Sequence, residues 1–106
     1  MQIVNFGKVA IIGAGGQAKE TFTVLERNSG WADFEFVGFF ETIHTKDEFL
    51  GYPVRPISEY NPEFVYHIAI GNEKVRKQIV ESLPRETIWL TLVDPSATIG
   101  NDVKIE

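Results

Sequence analysis

The sequence has 106 residues, of which 43% are hydrophobic and 24% are charged, and it contains no cysteine. This length and balance predict one compact globular domain, and the absence of cysteine excludes disulfides, thiolate metal sites and cysteine nucleophiles within these residues. The formal net charge of -5, with no run of basic residues, argues against nucleic acid or an anionic membrane as a partner. No apolar stretch is long enough for a membrane helix or a signal peptide, so we expect a cytoplasmic protein.

Strand and helix patterns alternate along the sequence. Apolar runs rich in β-branched residues predict buried strands, and apolar residues spaced three to four apart predict helices. The segment 43–60 is irregular, with a short strand and a helical turn expected in its second half. The alternation predicts an α/β fold, a Rossmann-like open parallel sheet flanked by helices. We expect strands at residues 8–12, 34–40, 64–70 and 87–93, and helices at residues 17–28 and 73–83.

A glycine-rich turn, GAGGQA, lies where the first predicted strand meets the first predicted helix. The spacing of Gly13, Gly15 and Ala18 is that of the dinucleotide fingerprint G-x-G-x-x-A, in which glycines allow a tight turn and close approach of a ligand. Backbone amides at the start of the helix would face an anion. The alternative is a turn that needs glycine only for its dihedral angles. We predict a nucleotide or pyrophosphate site formed by Gly13, Ala14, Gly15, Gly16 and Gln17.

An acidic residue, Glu41, ends the second predicted strand and is followed by Thr42. In NAD-binding domains, an acidic residue about 20 residues beyond the glycine turn binds the ribose hydroxyls. Glu41 lies somewhat later than that, but a longer preceding loop would account for the difference. It would accept hydrogen bonds from a ribose or a base; the alternative is a solvated charge.

A second strand-to-helix turn occurs at Gly71 and Asn72. Asn72 is a good helix N-cap, and Arg76 falls on the first helical turn, near the sheet edge where open α/β sheets bind ligands. These residues are predicted to contribute to the same site, with Arg76 meeting a phosphate or a loop carboxylate. The alternative is that Asn72 only caps the helix and Arg76 is only solvated.

The last residues, 93–106, carry a six-residue period. Apolar residues recur at Val93, Ile99 and Ile105, and small or apolar residues recur at Ala97 and Val103. Such a period is typical of a β-helix built from hexapeptide repeats, in which each repeat forms one side of a coil. Because repeats need neighbours to bury their faces, we expect this chain to be the front part of a longer protein, or a chain that has lost its β-helix. The alternative is a chance alternation in a final strand.

With these motifs in view, the sequence resembles the bacterial sugar acyltransferases of the sialic acid O-acetyltransferase type, which include N-acetyltransferases of nucleotide-linked 4-amino sugars. The resemblance implies a nucleotide-sugar-binding domain at residues 1–92 and the start of a left-handed β-helix at 93–106. That β-helix would supply the catalytic histidine, the acetyl-CoA site and a homotrimer. The resemblance rests on the order of four segments, IIGAGGQAK (11–19), VGFFET (37–42), AIGNEKVRKQI (69–79) and VDPSATIGNDVKI (93–105).

The resemblance also implies roles for the site residues. The turn from Gly13 to Gly16 would face the diphosphate and sugar of a UDP-linked sugar. The end of the second strand would meet the uracil and ribose, and the Gly71 turn with Arg76 would form the far wall. The sequence departs from the family at Gln17, where histidine is common, and at Glu41 and Thr42, where a pair of aspartates is common.

The full-length protein is therefore expected to transfer an acetyl group from acetyl-CoA to a sugar, and this chain is expected to bind the acceptor without catalysing. No catalytic residue and no metal site is predicted within it, and the fragment is expected to be a monomer or weak dimer. His67, on the third strand, is expected to be a core residue. Two alternatives remain: an NAD-binding domain of an oxidoreductase or redox sensor, and a non-enzymatic domain that regulates or pairs with a partner.

Overall fold

A largely parallel sheet with a helix on each face makes up the fold, and this confirms the predicted α/β class. The computed structural model describes residues 4–28, 32–94 and 98–104. Within these residues, the elements in chain order are β1 (Val4–Ile12), α1 (Gly16–Arg27), β2 (Ala32–Glu41), β3 (Glu48–Phe49), β4 (Tyr52–Pro56), a 3₁₀ turn (Ile57–Glu59), β5 (Val65–Ile68), α2 (Glu73–Ser82), β6 (Ile88–Asp94) and β7 (Thr98–Lys104).

The strand order is β3-β4-β2-β1-β5-β6-β7. The five central strands are parallel, while β3 and β7 pair in antiparallel fashion at the two edges. Within the sheet, β2 is the neighbour of β1 in one direction, and β5 is its neighbour in the opposite direction. The strand order therefore reverses between β1 and β5, and open α/β sheets bind ligands at the carboxyl ends of the strands at such a point.

The core is divided between the two faces of the sheet. Successive strand residues point to opposite faces, so Val9 and Ile11 pack towards α1 while Ala10 and Ile12 pack towards α2. Both faces of β1 are covered, which explains why its second half is an uninterrupted apolar run. Each fully buried aliphatic or aromatic side chain contributes about 1.5–3 kcal/mol relative to an exposed one.

A bulge in β2 sets which of its phenylalanines share a face. The pairing with β1 shifts by one residue before Gly38, so that Phe36 and Phe39 both lie on the α1 face. Their ring centroids are 5.1 Å apart in an edge-to-face arrangement. Gly38 has φ of 129°, and a Cβ there would lie 2.6 Å from the carbonyl oxygen of Pro53. The bulge therefore depends on the lack of a side chain at this position.

The irregular segment after β2 contains one element that the sequence analysis did not predict. β3 and β4 form a hairpin whose two loop residues, Leu50 and Gly51, have φ of 53° and 83°. Positive φ at both residues is the geometry of a tight two-residue hairpin turn. The predicted short strand and helical turn are present as β4 and the 3₁₀ turn.

Part of the segment with the six-residue period forms strand β7, which pairs with β6 at the edge of the sheet. Residues of β7 align with β6 in antiparallel register, for example Val103 with Leu90 and Ile99 with Leu92. Two of the five periodic positions, Ala97 and Ile105, lie outside the described residues. The division into a domain at 1–92 and a β-helix start at 93–106 stays a prediction. Among the described residues, no helix is long and apolar enough to cross a membrane.

Replacing Gly38 with alanine is expected to lower the free energy of unfolding by about 2–4 kcal/mol, because the new Cβ would meet a backbone oxygen in a strained conformation. Gly7→Ala is the matched control. Gly7 also has positive φ, 73°, but a Cβ there meets nothing within 4 Å, so we expect a loss of only about 1 kcal/mol. Urea unfolding followed by circular dichroism measures both, and equal losses would contradict the role given to the Pro53 contact.

Candidate functional site

The glycine turn begins at a crowded point where three strands meet. The amide of Gly13 donates to the carbonyl oxygen of Phe40 at 2.7 Å, and the amide of Ala69 donates to that of Ile12 at 2.8 Å. Gly13 has φ of 119°, and a Cβ on it would lie 2.8 Å from the carbonyl oxygen of Ala69. Glycine is therefore required at position 13 for both conformation and space. The turn lies between β1 and α1, as the sequence analysis predicted, and the strand order reverses at this point.

Beyond Gly13 the turn opens to solvent. Gly15 is the N-cap of α1 and offers no side-chain cap, and the first helix carries no acidic residue in its first turn. The amide of Lys19 bonds to the oxygen of Gly15 at 3.1 Å, which leaves the amides of Gly16 and Gln17 without an intrahelical acceptor. Both Gly15 and Gly16 are exposed, and a Cβ on either would meet nothing within 4 Å. This geometry suits an anion at the helix N-terminus.

The second helix starts in a different way. The side-chain oxygen of Asn72 accepts from the amide of Val75 at 3.0 Å, and Glu73 places a negative charge in the first turn of α2. Asn72 is thus a helix cap, which was one of the two roles considered for it. Its contribution to ligand binding stays a prediction. One amide at the start of α2 is thus bonded by a side chain of the protein, whereas α1 has no side-chain cap.

The glycine turn before α1 and the Gly71–Asn72 turn before α2 lie next to each other where the strand order reverses. The Oε1 atom of Gln17 lies 3.0 Å from the position that a Cβ on Gly71 would occupy. The absence of a side chain on Gly71 therefore leaves room for Gln17 at this edge. Arg76 lies on the first turn of α2 with an exposed side chain, and its amide donates to the oxygen of Asn72 at 3.0 Å. The structure thus brings Gln17 and Gly71 together, with Arg76 close by in sequence.

Glu41, at the end of β2, is engaged within its own loop. Its Oε1 atom accepts the amide of Thr45 at 2.9 Å, and the Thr45 hydroxyl lies 3.2 and 3.1 Å from the two carboxylate oxygens. The carboxylate therefore closes a turn in the loop that follows β2. Thr42 is exposed in the same turn. Recognition of a ribose or base by Glu41 or Thr42 stays a prediction.

Lys46 is a residue that the sequence analysis did not single out. Its Nζ atom donates to the carbonyl oxygen of Ala14 at 2.7 Å, and it lies 4.9 Å from the centroid of the Phe49 ring. This contact joins the loop after β2 to the glycine turn, 32 residues away along the chain. No spacing rule could have found it. The only signal is that a cation follows a strand whose carboxyl end lies at the site.

His67, expected to be a core residue, is partly buried on β5 next to the site. Its Nδ1 atom donates to the carbonyl oxygen of Leu90 at 3.0 Å, since a carbonyl can only accept. Burial lowers the pKa of His67 below its usual value; the bond to Leu90 opposes this change, and the charge of Arg76 adds to it. The ring is therefore neutral at neutral pH, with its proton on Nδ1.

Comparisons with known proteins identify a family and a curated relative. The family model of the PglD N-terminal domain matches residues 8–83, which include the glycine turn, both helices and the end of β2. The UDP-N-acetylbacillosamine N-acetyltransferase of Bacillus subtilis (strain 168) is 30% identical over 105 residues, covering 92% of this chain and 47% of that protein. The chain thus spans about half the length of this curated relative. No solved structure matches the chain.

The lowered pKa of His67 predicts a pH dependence of stability. Because the unfolded state keeps a histidine pKa of about 6.5, it binds a proton before the folded state does, and the free energy of unfolding falls as the pH drops below this value. The loss from this group is complete below the folded pKa. His67→Gln is expected to flatten the profile as the pH falls from 7 through the unfolded-state pKa of about 6.5. An NMR titration giving His67 a pKa at or above the usual value would contradict this prediction.

Proposed function

We propose a nucleotide-sugar-binding function from the premise that this chain belongs to the family of PglD N-terminal domains. The ligand's diphosphate would lie at the glycine turn, and its base and ribose would lie beside the end of β2. The residues assigned to this site are Gly13, Ala14, Gly15, Gly16, Gln17, Glu41, Thr42, Gly71, Asn72 and Arg76.

One observation carries the proposal: an uncapped helix begins at the reversal point of the sheet, with open space above it. The amides of Gly16 and Gln17 lack acceptors inside the helix, and no side chain covers Gly15 or Gly16. Peptide dipoles add positive potential at this end of α1. A phosphate group supplies the acceptor oxygens and the negative charge that this geometry favours.

The family supports a nucleotide sugar as the source of the phosphates. The curated relative is named for a UDP-linked sugar, and it aligns with this chain over the whole predicted site. The turn made by Glu41 and Thr45 stands at the carboxyl end of β2, next to the strand that carries the glycine turn. A base or ribose beside that turn would find the Thr42 hydroxyl and the remaining acceptor positions of the carboxylate.

For the full-length protein we propose acetyl transfer from acetyl-CoA to the bound sugar. The sugar's amino or hydroxyl group would form a bond to the acetyl carbonyl carbon. The thioester C–S bond would break, and coenzyme A would leave as the thiol with the proton lost by the nucleophile. The role of this chain is to bind and orient the acceptor. The homotrimeric hexapeptide-repeat β-helix expected from the resemblance belongs to the same proposal, as does the cytoplasmic location expected from the sequence.

Binding of UDP, a UDP-amino sugar, NAD and coenzyme A is the direct test. NMR titration of each compound is expected to shift the amides of Gly13, Gly15, Gly16 and Gly71 with the UDP compounds only. Gly16→Val is expected to weaken UDP binding at least tenfold, on the order of a lost charge-assisted hydrogen bond, because its methyl groups would occupy the space above the turn.

The same variant is expected to fold normally, because a Cβ at position 16 meets nothing within 4 Å. Glu26→Ala, at the exposed far end of α1, is the control and should bind UDP as the unmodified protein does. Shifts of these glycines with NAD and not with the UDP compounds would overturn the proposal in favour of the oxidoreductase alternative. A folded protein that binds neither would favour a regulatory or pairing role.

A further inference from the structure

We propose that Lys46 is the cationic residue that contacts the diphosphate of the bound nucleotide, and that its loop serves to place that charge. This inference rests on the proposed nucleotide-sugar function and identifies one more residue of that site. The observation behind it is the contact between Lys46 and the glycine turn, which joins two parts of the chain that no sequence motif relates.

The ammonium group of Lys46 lies against the glycine turn, just before the start of α1. Nζ of Lys46 is 2.7 Å from the carbonyl oxygen of Ala14. That oxygen belongs to the peptide group that joins Ala14 to Gly15, the N-cap of α1, so Nζ lies next to the start of the helix. A diphosphate carries oxygens on two phosphorus atoms, so one oxygen can accept from a free amide of Gly16 or Gln17 while another accepts from the ammonium. The lysine and the glycine amides therefore form two sides of one anion site.

The backbone on both sides of Lys46 is fixed. The amide and hydroxyl of Thr45 bond to Glu41, and the carbonyl oxygen of Asp47 accepts the amide of Val54 at 2.9 Å. The side chain lies against Phe49, whose ring packs edge-to-face on the buried Phe39 at 5.0 Å. The position of the charge is thus set by the hydrogen bonds of the loop and by the core. Such preorganisation lowers the entropy lost when a ligand binds.

The charge of Lys46 is not neutralised by the protein. Among the described residues, no carboxylate oxygen lies within 4.0 Å of the Lys46 ammonium; the ion pairs of His44 with Asp47 and of Arg55 with Glu59 do not include it. Its contact with Ala14 is to a neutral oxygen and uses one of its three N–H donors. Two donors and a full positive charge remain for a ligand. In a chain with a net charge of -5, this local cation favours an anion against the overall negative charge.

The test compares UDP with uridine, which carries the same base and ribose without phosphates. Lys46→Met removes the charge and keeps most of the aliphatic stem. It is expected to raise the Kd for UDP by about 10- to 100-fold, the usual cost of a hydrogen bond to a charged group, and to leave that for uridine unchanged. Lys46→Arg should recover most of the affinity for UDP. Lys77→Met, an exposed position on the second turn of α2, removes the same charge elsewhere and should bind UDP normally.

NMR titration at two salt concentrations gives all the constants, and it also shows whether the Thr45 and Asp47 amides keep their positions in the unliganded variants. A smaller salt dependence of UDP binding in Lys46→Met would support the inference. Equal weakening of UDP and uridine, with no recovery in Lys46→Arg, would overturn it and leave Lys46 as a loop support. An unchanged Kd for UDP in Lys46→Met would also overturn it. Failure of the unmodified protein to bind UDP would overturn the proposed function itself, which separates the two conclusions.

Discussion

The backbone contact at Gly13 is the constraint on which the rest of the site depends. There the chain leaves the central strand, β1, between Phe40 of one neighbouring strand and Ala69, which follows the other. A Cβ on Gly13 would lie 2.8 Å from the carbonyl oxygen of Ala69, which excludes any side chain at this position. A larger residue would push β5 away from β1 and widen the point at which the strand order reverses. Because the contact is made by backbone atoms, it fixes the direction of α1 and the place where its first amides are exposed.

An acidic protein can bind an anion when favourable charges lie within a few ångströms of it. The electrostatic screening length at physiological salt is about 8 Å, so carboxylates beyond that distance have little effect on a ligand. The helix end and Lys46 act within a few ångströms of the glycine turn. The cost to stability is small, since glycine at an N-cap is only a few tenths of a kcal/mol worse than a good capping residue. α2, which Asn72 caps, shows the alternative arrangement in the same fold.

Local sequence patterns predicted the elements that carry their own signal. The apolar run at the end of β1, the Asn72 cap and the Gly13 turn follow from side-chain type and spacing alone. The bulge at Gly38 was not predicted, because its need for glycine arises from Pro53 on another strand. The engagement of Glu41 by Thr45 was missed for a related reason. A carboxylate at a strand end reads the same in sequence whether it faces solvent or closes a turn.

The sequence by itself determined the α/β class, the order of its main strands and helices, and the place of the glycine turn, because these depend on periodicity and on residues adjacent in the chain. Only the tertiary structure decided which side chains surround that turn. Lys46 reaches Ala14 across 32 residues because β1 and β2 are neighbours in the sheet and the β3–β4 hairpin supports the loop that follows β2. Contacts of this kind depend on the distances between folded elements, and no local pattern of residues specifies those distances.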